Sequence, residues 1–350
     1  MSDQPFQIAG REIGPGRPPY VVAEMSANHG GDFQRAAAVV EAAAAAGADA
    51  VKLQTYTPDT LTLDCPSPVF RVAGTPWAGR TLFELYRQAA MPWEWQPRLQ
   101  RVANRLGLAL FSTPFDPTSV DFLQRMDVPA YKIASFELVD LPLLRRVGET
   151  RKPVILSTGM ATIEEIAEAV ATLRRSGAAG VALLHCTSAY PAPADQMNLR
   201  RMERLAAEFG CPVGLSDHTL ELAVPVAAVA LGASILEKHL TVSRDEAGCD
   251  AAFSLEPNEF KEMVRSVRAA HAALGDACCG PSESETDARR LRRSLFVVEE
   301  IEAGEPFTVK NVRSIRPADG LPPKHLDEIL GRRAARHLPR GTPLSWEHVE

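Results

Sequence analysis

The sequence predicts a (β/α)8 TIM barrel followed by a small C-terminal β-rich domain. Three observations predict it. Eight short β-rich runs alternate with helical segments, all eight fit within roughly 270 residues, and a polar stretch then leads into a tail that echoes itself.

The runs are Tyr20–Ala23, Ala50–Thr55, Leu108–Ser112, Ala130–Ala134, Pro153–Ser157, Val181–Cys186, Pro212–Ser216 and Ser234–His239. Most are separated by an amphipathic helical segment. Thr162–Arg175 is one, and it opens with the capping box Thr162-Ile-Glu-Glu165. Strands alternating with helices imply parallel pairing through crossovers, and eight such units match a barrel of about 250 residues. A doubly wound open sheet competes with this reading. It would favour a Gly-rich phosphate fingerprint after the first strand, which Ser26-Ala-Asn28-His29-Gly30-Gly31 does not supply. The proline-rich connection 56–90 is too long for a plain crossover, so it reads as a functional loop or a packing arm. The last barrel helix, Glu256–Leu274, places Pro257 in its first turn and Phe260, Met263, Val264 and Val267 on one face.

A catalytic barrel domain is therefore expected over 1–280, a polar linker over 281–293 and a tail domain over 294–350. In the tail, Ile301-Glu-Ala-Gly304-Glu-Pro306-Phe307-Thr308 is echoed by Leu338-Pro-Arg-Gly341-Thr-Pro343-Leu344-Ser345, which predicts two related hairpin-like units. So small a domain is expected to gain stability by docking.

Composition excludes several classes. Hydrophobic residues make up 45%, charged residues 23%, and the net charge is −6, so no nucleic-acid partner is expected. The one basic run, Arg289–Arg293, reads as a solvated helix face. The N-terminus lacks the basic and apolar segments of a signal peptide. The longest apolar stretch, Ala36–Ala46, contains Glu41 and falls short of the ~20 residues of a membrane span. The six cysteines are scattered, with Cys278-Cys279 an incidental neighbour pair, which points to a cytoplasmic protein without disulfides.

Candidate chemistry follows from residues that are costly where they stand. Lysine supplies seven of the 38 basic residues, yet Lys52, Lys132 and Lys238 lie inside apolar strand runs. Period-2 alternation points Lys52 and Gln54 toward the barrel axis and Lys238, opposite Glu237 and His239, outward. Lys132 stands near a strand end with Ser135. Two inward lysines with the strand-end hydroxyls Thr113, Ser135 and Ser157 make a site for a compact anion such as phosphate. His29, His185, His218 and His239 all sit near strand C-termini, the face on which barrel enzymes build their sites. His218 and His239, on adjacent strands, can converge on one cation, and with oxygen ligands in the other positions Mn2+ or Mg2+ suits better than structural zinc. Glu24 ends the first strand, placed as a general base, as a partner that positions a water, or as an ion-pair partner of Lys52.

Several motifs then carry a resemblance. Glu24-Met-Ser-Ala-Asn28-His29, Ala48-Asp-Ala-Val-Lys52-Leu-Gln54-Thr, Tyr131-Lys132-Ile-Ala-Ser135, Leu215-Ser-Asp-His218-Thr and Ile235-Leu-Glu-Lys-His239 resemble the sialic acid synthase family. The resemblance covers nearly the whole chain, including a tail that looks like the antifreeze-like (SAF) domain. The Glu24–His29 motif, Thr81-Leu-Phe-Glu-Leu-Tyr86, Pro92-Trp-Glu-Trp-Gln96, Thr187-Ser188-Ala-Tyr190-Pro-Ala-Pro193 and Ala252-Phe-Ser-Leu-Glu-Pro257 are most similar to its pseudaminic acid branch, with the N-acetylneuraminate and legionaminate branches as the alternatives. The resemblance implies metal-dependent condensation of phosphoenolpyruvate with an N-acetylated amino-sugar aldehyde, with loss of phosphate by C–O cleavage. It implies phosphoenolpyruvate on Lys52, Thr113, Lys132, Ser135 and Ser157, and a divalent metal on His218 and His239. It further implies sugar contacts from Gln54, Glu137, Ser188, Tyr190 and Asp250, and a homodimer in which Arg316 of the tail reaches the partner's site. Small and apolar residues (Ala27, Ala189, Phe253) suit a 6-deoxy sugar. Cys249 and Ala251 depart from the family's usual Pro and Ser, which bears on sugar selectivity and not on the reaction.

Two rivals stand beside this reading. A class I aldolase would use Lys52 or Lys132 as a Schiff base. A non-catalytic sugar- or ice-binding protein would use its tail and would have no need of buried charges.

Overall fold

The computed structural model describes residues 6–72, 78–245, 248–276 and 279–350. Eight parallel strands, β1 (Tyr20–Glu24), β2 (Ala50–Thr55), β3 (Ala109–Pro114), β4 (Tyr131–Ile133), β5 (Pro153–Ser157), β6 (Gly180–Cys186), β7 (Val213–Asp217) and β8 (Ile235–His239), close into a barrel. β8 pairs with β1, so the predicted architecture is the observed one. Nearly every strand residue is buried, because one face packs into the barrel and the other against the helices.

The register sets the site. Along the shared C-terminal edge, His239 stands beside Glu24, Glu24 beside Lys52, and Gln54 beside Thr113. Helix ends follow their local signals. Thr162 caps the helix Ile163–Arg175 by accepting a hydrogen bond from the Glu165 amide, and Pro257 opens the helix Pro257–Leu274, whose Phe260, Met263, Val264 and Val267 are buried. A short hairpin precedes the barrel, pairing Gln7–Ile8 with Arg11–Glu12 and burying Phe6 and Ile8 in the barrel core. Within the 56–90 connection, residues 73–77 lie outside the described set. The rest forms short helices at Pro58–Leu61 and Leu82–Ala89, and Tyr56 packs edge-on against Tyr86 and Phe115. Cys278 also lies outside the described residues. No helix among the described residues is long and apolar enough to cross a membrane.

The chain divides into two compact units, Met1–Gly275 and Asp276–Glu350. In the second, β9 (Ser294–Val297) pairs antiparallel with β10 (Val312–Ile315) over a core of Leu295, Val297, Ile301, Phe307, Val312, Ile329, Leu338 and Leu344. The two echoed segments meet each other: Ile301 and Leu338 exchange backbone hydrogen bonds of 3.0 and 2.8 Å. Residues 281–293, read from composition as a linker, hold two short 3-10 turns, and Arg290 accepts a hydrogen bond from the Ala318 amide at 3.1 Å.

Candidate active site

At the C-terminal end of the barrel, four buried charges form one chain. Lys52 Nζ lies 3.1 Å from Glu24 Oε2 and 3.1 Å from Glu237 Oε1, and Lys132 Nζ lies 4.0 Å from Glu237 Oε2. None of the four side chains is more than 5% exposed. Buried ammonium groups persist only when paired, and here each glutamate supplies that pairing. Hydroxyls complete the cluster: Lys52 donates to Thr113 Oγ1 at 3.3 Å, Lys132 to Ser157 Oγ at 2.6 Å, and Ser216 to Glu237 Oε1 at 3.4 Å. Ser135 Oγ accepts from the Gly159 amide at 3.0 Å.

Burial and partners divide the proton affinities. Burial pushes the Glu24 carboxyl up to about 7, against the pull of Lys52. Burial alone would raise Glu237 as well, but Lys132 and Lys52 hold its carboxyl below the usual range. Burial would lower both lysines. Glu237 and Glu24 together keep Lys52 above its ordinary value, whereas Lys132 comes down to about 8.

Beside this cluster the two predicted histidines meet, with His218 and His239 ring centroids 5.3 Å apart. Tyr190 stacks at a tilt on His218 (4.4 Å), and Phe253 packs on both Tyr190 and His239 (5.0 Å each). His218 Nδ1 lies 3.1 Å from the Thr187 carbonyl oxygen. His239 Nδ1 is buried without a hydrogen-bond partner, the condition of a nitrogen awaiting a ligand. Among the described residues no group of three or more His, Cys, Asp or Glu side chains is arranged around a cation. The protein thus offers two nitrogen donors, which fits an open divalent site whose other positions go to water and substrate oxygens.

The remaining predicted residues gather around these two features. Gln54 Nε2 donates to Glu24 Oε1 at 3.1 Å and to Ser26 Oγ at 2.9 Å, and Ser26 Oγ in turn donates to Asp250 Oδ2. Ser188 Oγ lies 3.8 Å from Cys186 Sγ. Glu137, in the 3-10 turn Phe136–Val139 after β4, has a buried Oε2 without a hydrogen-bond partner, and burial pushes its carboxyl up to about 7. Arg316 follows β10 in the second unit and is exposed there.

Other candidates do not join. Lys238 points outward, as its alternation predicts, and is satisfied by Asp217 Oδ2 at 2.6 Å and by the Thr219 carbonyl. His29 and His185 stand near strand ends, yet their Nε2 atoms bond the backbone carbonyls of Ala89 and Met197. Sequence reasoning passed over Glu237 as a site residue, although the alternation that turns Lys238 outward turns Glu237 inward. It also passed over Gly159, where an added Cβ would meet Ser188 Oγ and lie 2.8 Å from Ser135 Oγ.

Known proteins resemble this chain in sequence and in fold. The chain is 42% identical over 335 residues to the pseudaminic acid synthase of Helicobacter pylori, covering 95% of this chain and 98% of that one. It is 37% identical to the N,N'-diacetyllegionaminic acid synthase of Legionella pneumophila, over 95% of this chain and 94% of the relative. Its fold matches the crystal structure of an N-acetylneuraminic acid synthetase from Leptospira borgpetersenii with a TM-score of 0.73 and 30% identity, covering 81% of this chain and 95% of that one. The SAF domain matches residues 292–350 and the NeuB family matches residues 39–278, more than half of the sequence, so the chain belongs to the NeuB family.

Proposed function

We propose that this protein condenses phosphoenolpyruvate with 2,4-diacetamido-2,4,6-trideoxy-L-altrose to give pseudaminic acid and phosphate. The observation that carries the reading is the buried Glu24–Lys52–Glu237–Lys132 chain beside the paired histidines, which supports an anion site next to a cation site. The 42% identity to pseudaminic acid synthases supports the branch.

Lys52 and Lys132, with Thr113, Ser135 and Ser157, hold the phosphate and carboxylate of phosphoenolpyruvate. Gln54, Glu137, Ser188, Tyr190 and Asp250 hold the sugar with its aldehyde facing C3 of the enol. His218 and His239 would hold a divalent cation, Mn2+ or Mg2+, which would supply Lewis acidity toward the aldehyde. As C3 bonds to the aldehyde carbon, C2 becomes an oxocarbenium centre, and a water oxygen adds there. Glu24, with its proton affinity near the operating pH, is placed to take that water's proton. The C2–O bond to phosphate then breaks, phosphate departs with the bridging oxygen, and the C2 hydroxyl gives up its proton to leave the ketone. Of the two protons released from water, one ends on the former aldehyde oxygen and the other leaves with phosphate.

We infer further that the working unit is a homodimer in which Arg316 of one copy completes the sugar site of the other. A planar, permanently charged guanidinium suits acetamido carbonyls and hydroxyls, and Arg316 is exposed on its own unit. Cys65, Cys186, Cys211 and Cys279 are free thiols, which accords with work in a reducing cytoplasm.

The test of the substrate is phosphate release from phosphoenolpyruvate with three aldehydes side by side: N-acetylmannosamine, the diacetamido 6-deoxy mannose and the diacetamido 6-deoxy altrose. A site without a partner for the 6-hydroxyl favours the altrose over N-acetylmannosamine by on the order of a hundredfold in kcat/KM. Comparable values for those two sugars would remove the branch assignment.

A further inference from the structure

Ser26 adopts a conformation that serine seldom takes. It opens the 3-10 turn Ser26–His29 immediately after β1, its φ is +47°, and it is 5% exposed. A side chain in the left-handed region strains the backbone, and such strain persists where the surroundings hold the residue in place. Glycine would sit there without strain.

The hydroxyl supplies a reason for serine. Ser26 Oγ accepts a hydrogen bond from Gln54 Nε2 at 2.9 Å and spends its own proton on Asp250 Oδ2. The other hydrogen of the Gln54 amide goes to Glu24 Oε1 at 3.1 Å, so both of its donors are committed. Gln54 stands on β2 and Asp250 on the loop after β8, with β1 between those strands. One hydroxyl therefore ties together two residues that come from opposite sides of its own strand. The same turn anchors the Asp250 loop a second time. Asn28 Nδ2 donates to Ser254 Oγ at 2.8 Å and to the Leu240 carbonyl at 3.0 Å, and Ser254 Oγ donates to the Asp250 carbonyl at 2.6 Å. The Asn28 bonds hold the loop, while the Ser26 bond aims the Asp250 carboxylate.

We propose that Ser26 is a positioning residue for the amino-sugar aldehyde, its hydroxyl fixing the Gln54 amide and the Asp250 carboxylate in the single orientation that receives the sugar. The proposal rests on the synthase reading, because Gln54 and Asp250 are sugar contacts only within it. A serine with a purely structural role makes a different prediction for Ser26→Gly: the unfolding temperature changes and the KM for the aldehyde does not.

Two variants, Ser26→Gly and Ser26→Ala, are measured by steady-state kinetics and thermal unfolding of the full chain. Ser26→Gly is expected to raise the KM for the aldehyde by about tenfold or more, because two sugar contacts lose their fixed orientation, while its unfolding temperature reports separately the lost hydrogen bonds and the relieved strain. The KM for phosphoenolpyruvate is expected to change by less than about twofold, because the lysine end of the cluster is untouched. Ser26→Ala is expected to show the same kinetic loss but a lower unfolding temperature than Ser26→Gly, since alanine keeps the strain without the hydroxyl. A wild-type aldehyde KM in Ser26→Gly, or equal losses for both substrates, would overturn the proposal while leaving the synthase reading standing. A wild-type protein that releases no phosphate with any of the aldehydes would overturn that reading itself, and the role of Ser26 with it.

Discussion

Gly159 follows Ser157 and Thr158 at the end of β5, and its lack of a side chain leaves room for two hydroxyls of the proposed site. In Gly159→Ala the new Cβ would lie 2.8 Å from Ser135 Oγ and 3.2 Å from Ser135 Cβ, with Ser188 Oγ closer still. Ordinary contact needs about 3.5 Å, so the Ser135 hydroxyl must retreat by about 0.7 Å and Ser188 by more. Both are ends of side chains that can rotate, so the fold survives. The cost is about 1–3 kcal/mol, a fall in Tm of a few degrees. Function suffers more, because Ser135 is proposed to bind phosphoenolpyruvate and Ser188 the sugar. Losing one hydroxyl contact to a charged ligand is worth about 1.5–3 kcal/mol, so kcat/KM for phosphoenolpyruvate is expected to drop by about ten- to a hundredfold. The sugar value is expected to drop with it. The assay is phosphate release with each substrate varied in turn, beside circular dichroism melts. Gly14→Ala serves as a control, since a Cβ there meets nothing within 4 Å. Gly214→Ala marks the other extreme, because its Cβ would run into the Ile235 backbone carbonyl, which has no rotamer to retreat to, and it is expected not to fold. A folded Gly159→Ala protein with wild-type kcat/KM for both substrates would refute the placement of Ser135 and Ser188 in the site.

Three further outcomes are expected. His218→Ala and His239→Ala each remove a nitrogen donor together with the packing of a buried ring, so both should fold with reduced stability, lose bound divalent metal after chelation and reloading, and lose turnover; full activity of either in EDTA would exclude the two-histidine site. Burial raises the Glu137 carboxyl to about 7, so its ionised form penalises the fold: the penalty is absent below about pH 4.5, grows as pH rises and is complete above 7. Glu137→Gln lacks that penalty, and its stability relative to wild type in urea unfolding should grow by about 2 kcal/mol between pH 5 and pH 8; a difference independent of pH would show that burial does not set this carboxyl. Mixing inactive Arg316→Ala chains with inactive His218→Ala chains under subunit exchange should restore activity, because one barrel of the mixed dimer keeps its histidines and receives an intact arginine. Mixed dimers that form and stay inactive would place Arg316 outside the partner's site.

Much of the fold was legible because strand and helix periodicities differ and the strand runs were well punctuated. The barrel strands lie within a residue or two of the predicted runs, while the two echoed tail segments, read as related hairpin-like units, bond to each other at Ile301 and Leu338. The hairpin Gln7–Ile8 with Arg11–Glu12 was not legible, since two-residue strands show no periodicity. Within the site, alternation was enough to turn Lys52 and Gln54 inward and Lys238 outward. The same alternation carried Glu237 inward, but a carboxylate between two lysines gains meaning only once Lys52 and Lys132 are known to share it. His29 and His185 had the right position along their strands, and backbone carbonyls that no local pattern reveals hold them instead. Ser26 carried no reading of its own in the sequence, because a left-handed φ is a property of the folded backbone and leaves no mark in composition.

Which bond of phosphoenolpyruvate breaks tests the proposed condensation most directly. With 18O in the bridging C–O–P position, condensation through an oxocarbenium centre sends the label out with phosphate, and the new ketone oxygen comes from water. Mass spectrometry of the released phosphate, with the altrose substrate and wild-type protein, is expected to find essentially all of the label there. Label retained in the sugar product would mean P–O cleavage, and the proposed chemistry at the Lys52–Lys132 site would be wrong.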